Sequence, residues 1–397
     1  MTPYQYRLWA IAILFAALIS ACGSPPITPI GEQPTSTTEP TPLTKPTAEP
    51  GVTVEPTNIP ATHTPAISEP LSGRVIYGRF DVGQQRGELR SMTLDGSDDR
   101  ALIAGIAGCE LTGLAVSPDG GQISYTLDSC PEAGLYLVDA DGSNDRQLMA
   151  ASIQLGAQAW SPDGTRIAFA RLSDAGDAPV PAVTISVIEP ARGASIDVVG
   201  PSFFITPPAW LDDDQLVFSH AVQGGTPPAG WQTFVSVAQA GWEPERLAAG
   251  QLVAVSPDRA ALLTLMETRP DSSLPVRLAL TEIDSGVSRW LEQQPGPPPL
   301  VAWSPNGTFI ARHDLEAMTI EVIDRVTGDR QVLRQLKPEN VLTVQLAWTP
   351  DSGSLVYSAG GPDGTTIYRI NVADGSEQPL ASLDSPPRFL AVIARRN

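Results

Sequence analysis

The side chains in this sequence that could carry out chemistry are few and widely spaced. Of three histidines, His63 stands in a proline-rich tract, while His220 and His313 each close a short apolar run. A His-Glu-x-x-His pair, which would set two imidazoles on one side of a helix to hold zinc, does not occur. A Gly-x-Ser-x-Gly elbow, which would expose a nucleophilic serine, is missing too. Cys22, Cys109 and Cys130 are too few for a four-thiolate zinc site. Asp139-Ala140-Asp141-Gly142-Ser143-Asn144-Asp145 has oxygen donors at calcium-loop spacing, but Ala150 stands where a bidentate glutamate would close the shell. A hairpin turn is the simpler reading of that segment. On these grounds the sequence predicts no metal, no cofactor and no catalytic residue, and a chain that is not an enzyme. The rival readings are a glycan-cleaving enzyme using an acidic pair such as Asp128 and Glu267, and a sensor that binds a small ligand or a metal. A formal charge of −19 excludes nucleic acid as a partner, since phosphate binding needs a basic surface.

What positions these residues is a repeat. Val116-Ser117-Pro118-Asp119-Gly120 recurs as Trp160-Ser161-Pro162-Asp163-Gly164, Val255-Ser256-Pro257-Asp258-Arg259, Trp303-Ser304-Pro305-Asn306-Gly307 and Trp348-Thr349-Pro350-Asp351-Ser352. A degraded copy reads Trp210-Leu211-Asp212-Asp213-Asp214. Spacings of about 44 to 50 residues match propeller blades of four strands. Ser, then Pro, then a terminal Gly is the composition of a type I turn. The strand that follows, Ile167-Ala168-Phe169-Ala170, alternates bulk with small side chains, as a sheet packed on both faces requires. The tryptophans at 160, 210, 303 and 348 are expected to pack between blades.

Residues 73–104 supply three strands of a blade but no inner one, and Phe389–Ala394 is a strand with no blade of its own. The economical solution pairs Phe389–Ala394 with Arg74–Gly78, which closes the ring and removes exposed sheet edges. The expected fold is therefore an all-β, seven-bladed β-propeller over 71–397, closed by its C-terminal strand.

The repeated Trp-Ser-Pro-Asp-Gly turn, apolar strand and later Asp-Gly turn resemble the TolB-type, WD40-like propeller repeat. The resemblance covers most of residues 71–385. It implies a propeller, with six blades as the alternative count, and a periplasmic protein that binds an outer-membrane, peptidoglycan-associated lipoprotein. This chain departs from that pattern in its seventh repeat and in having a proline-rich tract where TolB has an α/β domain. Similar repeats form the propeller of prolyl oligopeptidase-like peptidases, which append a hydrolase domain; residue 397 leaves no room for one.

At the N-terminus, Arg7 precedes the apolar run Leu8–Ile19, too short to span a bilayer but suited to a signal peptide. The run ends in Ile19-Ser20-Ala21-Cys22, which resembles a bacterial lipobox. Residues 1–21 are then a lipoprotein signal peptide and Cys22 the lipidated residue. Twelve of the 48 residues 23–70 are proline and eleven threonine, a composition that favours a disordered stalk over a packed core. The expected setting is extracytoplasmic, anchored to the cell membrane, at the cell surface or in the periplasm. An oxidising compartment also permits a Cys109–Cys130 bridge. If Ser117 faces Gln122, paired positions sum to 239, and the two cysteines fall opposite each other.

In a propeller of this kind the Ser-Pro-Asp-Gly turns share one face. The longer strand connections share the other, where Arg79, Asp81, Asp128, Arg171, Asp174, His220, Glu267, Arg269, His313 and Asp314 gather as a candidate binding rim. The expectation is a monomeric binding module for a protein, a peptide or a cell-envelope glycan.

Overall fold

The structure is a computed structural model. It describes residues 73–394 apart from 82, 84, 151–154, 173–181, 203–204, 223–229, 242, 268–275, 293–298, 338–344 and 362–363. Pro70–Asn397 forms a compact unit of its own. Cys22, His63, the signal peptide and the stalk lie outside the described residues, as do Asp174, Arg269 and the side chain of Glu267.

The described residues form 28 strands arranged in seven four-stranded antiparallel sheets. Blade 1 contains Gly73–Asp81, Arg86–Thr93 and Arg100–Ile103, and takes its inner strand from Phe389–Ala394. That strand runs antiparallel to the first, pairing Arg74 with Ile393 through to Gly78 with Phe389. Blades 2 to 7 each use four consecutive strands, beginning with Glu110–Val116, Leu155–Trp160, Ala209–Trp210, Gln251–Val255, Leu300–Trp303 and Gln345–Trp348. Each inner strand touches the next around the full circle. The count is seven, not six.

Burial on both sides of each sheet puts the core in the seams between blades. Ile167 and Phe169 of blade 3 pack on Leu135 and Leu137 of blade 2. Ala168, on the opposite side, leaves room for Trp210 of blade 4. The tryptophans also tie the seams by hydrogen bonds. Nε1 of Trp160, Trp210 and Trp348 donates to the carbonyl of Ala115, Ala159 and Ala302 on the preceding inner strand. Trp303 packs in the same manner, but its Nε1 is buried without an acceptor. A register shift between Leu252 and Ala254 disturbs the inner strand it would meet.

The repeated turn is explained atom by atom. In blade 2, Ser117 Oγ donates to Asp119 Oδ1 (2.7 Å) and accepts from the amide of Gln122 (2.8 Å). Asp119 Oδ1 also accepts from the amide of Gly121. The same three bonds recur about Ser161, Ser256, Ser304 and Thr349. Gly120, Gly164 and Gly307 adopt φ near +70°, where a Cβ is costly. Arg259 and Ser352 hold that conformation without being glycine. In blade 4 the degraded copy makes a shorter turn, with Asp212 Oδ1 accepting from the amides of Asp214 and Gln215. Asp139–Asp145 is likewise a turn, with Asp141 Oδ1 accepting from the amide and hydroxyl of Ser143.

The disulfide forms, with the two Cα atoms 5.0 Å apart, but the register argument for it needs correcting. Pairs sum to 239 from Val116–Ile123 through Gly113–Thr126, then slip by one, so that Glu110 faces Asp128. Thr112 is the extra residue of a bulge. The cysteines are therefore not directly opposed, and the bridge spans the splayed end of the hairpin.

Candidate functional site

The two faces of the wheel are built differently. On the turn face, connections run from four residues (211–214) to seven (238–244). On the loop face they run from one residue (250) to ten (173–182). The turn face holds a cavity of about 610 Å³ bordered by Arg74, Arg100, Asp119, Asp139, Asp141 and Asp163. Most of these groups already have structural duties. Asp119, Asp141 and Asp163 cap their own turns, Asp139 accepts from Gln122 and Asn144, and Arg74 bonds Ser91 and Asp98.

The loop-face ends of two seams carry buried ion clusters. Counted from the turn, one strand position holds Tyr125, Phe169, Phe218 and Tyr357 in blades 2, 3, 4 and 7. Thr264 takes that place in blade 5 and Arg312 in blade 6. Ile310 packs on blade 5, so Arg312 and Asp314, at two-residue steps, face the same way. Arg312 Nη1 donates to Asp314 Oδ2 and Glu321 Oε1, both at 2.6 Å. Its Nη2 lies 2.8 Å from Glu292 Oε1, an ion pair whose angle falls short of a hydrogen bond. Arg330 shares Glu321 at 2.8 Å, and the amide of Leu278 donates to Glu292 Oε2. Burial works against the Arg312 charge, but Glu321, Glu292 and Asp314 outweigh it and hold the guanidinium pKa above its usual range.

Blade 1 inverts this arrangement. Tyr77 packs on Val356, Ile367 and Leu383 of blade 7. Arg79 and Asp81 follow on that side, opposite Glu88 and Arg86 in register, while Arg90 faces Tyr77. Glu88 receives Arg79 Nε at 2.9 Å, Arg86 Nη2 at 3.1 Å and Arg90 Nη1 at 3.4 Å. Burial raises the Glu88 pKa, but the three arginines together prevail and hold it below the usual carboxylate range. Tyr77 donates to Asp99, and burial followed by that bond pushes its pKa up to about 12. One cluster is a glutamate among three arginines; the other is an arginine among three carboxylates.

The described rim residues are spread over blades 1, 2, 3, 4 and 6 and do not gather at one point. Arg79 belongs to the Glu88 cluster and Asp314 to the Arg312 cluster. Asp81 accepts from the amide of Gly83, and Asp128 from that of Ser129. Asp314 also caps Glu316 and Ala317. Arg171 is bound to Asp197 of its own blade at 2.8 Å. His220 is half-buried, 6.4 Å from the ring of Phe234. His313 is buried, with Nε2 lacking a partner. Burial lowers both imidazole pKa values. Asp128 and Glu267 stand on blades 2 and 5, the widest separation a seven-bladed ring allows. Among the described residues, the one group of three possible metal ligands is Cys109, Cys130 and Glu132, whose sulfurs are joined in the disulfide.

Sequence reading missed Glu88, Arg86, Arg90, Glu292, Arg312, Glu321 and Arg330. A signal existed for some of them. Arg86-Gly87-Glu88-Leu89-Arg90 places charge at every second residue, and in a blade packed on both sides such a face must be buried.

No protein-family model matches the chain, and no curated protein matches it by sequence. Solved structures do match. TolB from Acinetobacter baumannii is 14% identical with a TM-score of 0.51, over 83% of this chain and 68% of that one. An oligogalacturonate lyase in complex with manganese is 14% identical with a TM-score of 0.58, over 76% and 86%. An acylaminoacyl peptidase from Pyrococcus horikoshii is 14% identical with a TM-score of 0.55; the match covers 78% of this chain and half of the peptidase. These enzymes correct the expectation that the chain is not an enzyme. The same wheel occurs in a lyase and a peptidase, so the want of a familiar motif is no argument against catalysis. What the likenesses establish is the fold, a TolB-like β-propeller; the count of seven blades comes from this chain's own sheets.

Proposed function

We propose that this chain is a lipid-anchored, extracytoplasmic propeller that captures a protein, peptide or cell-envelope glycan on its loop face. Cys22 is the anchor, and residues 23–70 hold the wheel away from the membrane. The observation that carries the reading is the contrast between the faces. Turn-face polar groups are engaged in one repeated set of turn bonds, whereas the loop face varies from blade to blade and bears the Glu88 and Arg312 clusters. Variable loops on a rigid scaffold are where binding concentrates. The test measures retention of the propeller, residues 70–397, on fractionated cell-envelope glycan and membrane protein from the host. Substitution of Arg79 and Arg86 by Gln should weaken retention, and Asp119→Asn with Asp163→Asn should not. The opposite pattern would move the working surface to the turn face. Because the fold occurs in enzymes, retained glycans are also assayed for cleavage, with oligogalacturonate included. Anchoring is tested separately: Cys22→Ser should release the protein from the membrane fraction, and its retention there would remove the lipid from the account.

A further inference from the structure

We infer that the loop-face end of the seam between blades 7 and 1 is an oxyanion site, formed by Arg79 and Arg86 above Glu88, which takes a carboxylate or phosphate group of the ligand. The inference rests on the loop-face reading and gives it a chemistry.

The donors decide it. A guanidinium carries five N–H groups in a planar fork suited to two-oxygen anions. Each nitrogen of Arg90 already donates: Nε to Tyr77 and Asp99, Nη1 to Glu88 and Nη2 to the Asp99 carbonyl. Arg79 gives only Nε, and Arg86 only Nη2, both to Glu88. Arg86 Nε is buried with no acceptor. Among the described residues, the remaining donors of these two side chains meet no carboxylate or carbonyl.

Depth sets the direction. The Glu88 side chain is 5% exposed, while those of Arg79 and Arg86 are 32% and 25% exposed. The acid thus lies beneath and the open guanidinium edges lie at the surface. Glu88 orients the two arginines without satisfying them, which is preorganisation for an arriving anion. Asp81 stands opposite Arg86 as a flanking negative charge. Glu88, Asp99 and Asp81 balance the three arginines in charge, so what draws an anion here is the open N–H groups at short range and not a net positive field. Arg312 Nε is also buried without an acceptor, so the difference lies in depth: the Arg312 side chain is 9% exposed and ringed by three carboxylates, and presents no edge at the surface.

The test is thermal unfolding of the propeller unit at constant ionic strength. Sodium phosphate is the phosphate probe, oligogalacturonate the carboxylate probe and sodium chloride the control. One or both oxyanions should raise Tm where chloride does not, and which does so identifies the group. Arg79→Gln and Arg86→Gln should each weaken the effect by about tenfold, with the Tm of the free protein nearly unchanged. Arg79→Lys, which keeps charge but loses the fork, should fall between. Glu88→Gln should lower the free Tm and enlarge the phosphate-dependent rise, because the buried negative charge no longer competes with the anion for Arg79 and Arg86. Asp81→Asn should tighten binding. Equal shifts with chloride, or oxyanion shifts unaltered in Arg79→Gln and Arg86→Gln, would overturn the site. If envelope material is retained by the loop face regardless of these arginines, the site fails and the loop-face reading stands. If phosphate binds here but envelope material binds the turn face, the reverse holds.

Discussion

The seams between blades 5 and 6 and between blades 7 and 1 solve one problem with opposite signs. Each buries charge at the loop-face end, where blades 2, 3, 4 and 7 bury a tyrosine or a phenylalanine. In the first, Arg312 is deep and carboxylates surround it. In the second, Glu88 is deep and arginines surround it, two of them reaching the surface. A buried charge is tolerable only when paired, and a deep charge with one set of partners is a structural commitment. A deep charge with surplus partners leaves donors for something else. The first seam holds the wheel together, and the second is arranged to meet a ligand.

The largest test of this contrast is Arg312→Met. It removes the ion-pair partner of Glu292 and leaves Glu321 with Arg330 alone, and denaturant unfolding should show a loss of about 3–5 kcal/mol. Arg79→Met leaves Glu88 with Arg86 and Arg90, and should cost no more than about 1 kcal/mol. Equal losses would dissolve the distinction between a structural and a receptive cluster. Next in size is the covalent tie of the adjoining hairpin. Replacing Cys109 and Cys130 by Ser should cost about 3 kcal/mol by the loop-closure relation, read from the same unfolding curves.

Acid separates the groups by the pH range in which each acts. The His313 pKa is depressed in the folded state, so the unfolded chain takes up that proton first, and stability falls as pH drops through about 6.5. The Glu88 pKa is depressed below 4.5. Its contribution is complete above that value and is lost as pH falls through the folded pKa. Tm against pH should show two steps, the upper reduced by His313→Gln, with His220 supplying the remainder, and the lower reduced by Glu88→Gln. A profile unchanged by either variant would remove these groups from the balance. The smallest effect is Arg171→Gln, whose partner Asp197 is largely exposed. It should lie within about 0.5 kcal/mol of wild type, and a larger loss would give the rim charges a structural weight denied to them here.

The wheel was legible because its signals are local and repeated. Ser117, Pro118 and Asp119 write a turn in consecutive residues, and the same three bonds follow at each copy. Closure was legible because Phe389–Ala394 had no other place to go. The clusters were not, because they join residues from different strands and, in one case, different blades. Arg312 meets Glu292 across a seam, a contact that no spacing along the chain encodes. Among the rim residues chosen by their position at strand ends, Asp128 caps a local amide and Arg79 belongs to a cluster centred on Glu88. Aligning the blades would have exposed Arg312 as the odd residue at an aromatic position. The bulge at Thr112 left no comparable trace.

The decisive measurement is hydrogen exchange on the propeller with and without digested cell-envelope material from the host. Recognition on the loop face requires added protection at the strand ends around Arg79 and Arg86 and in the connection 384–388, with the turns at 117–122 and 161–166 unchanged. Protection confined to those turns and to the cavity beside Asp139 would contradict it, and would leave the Glu88 arginines as scaffold alone.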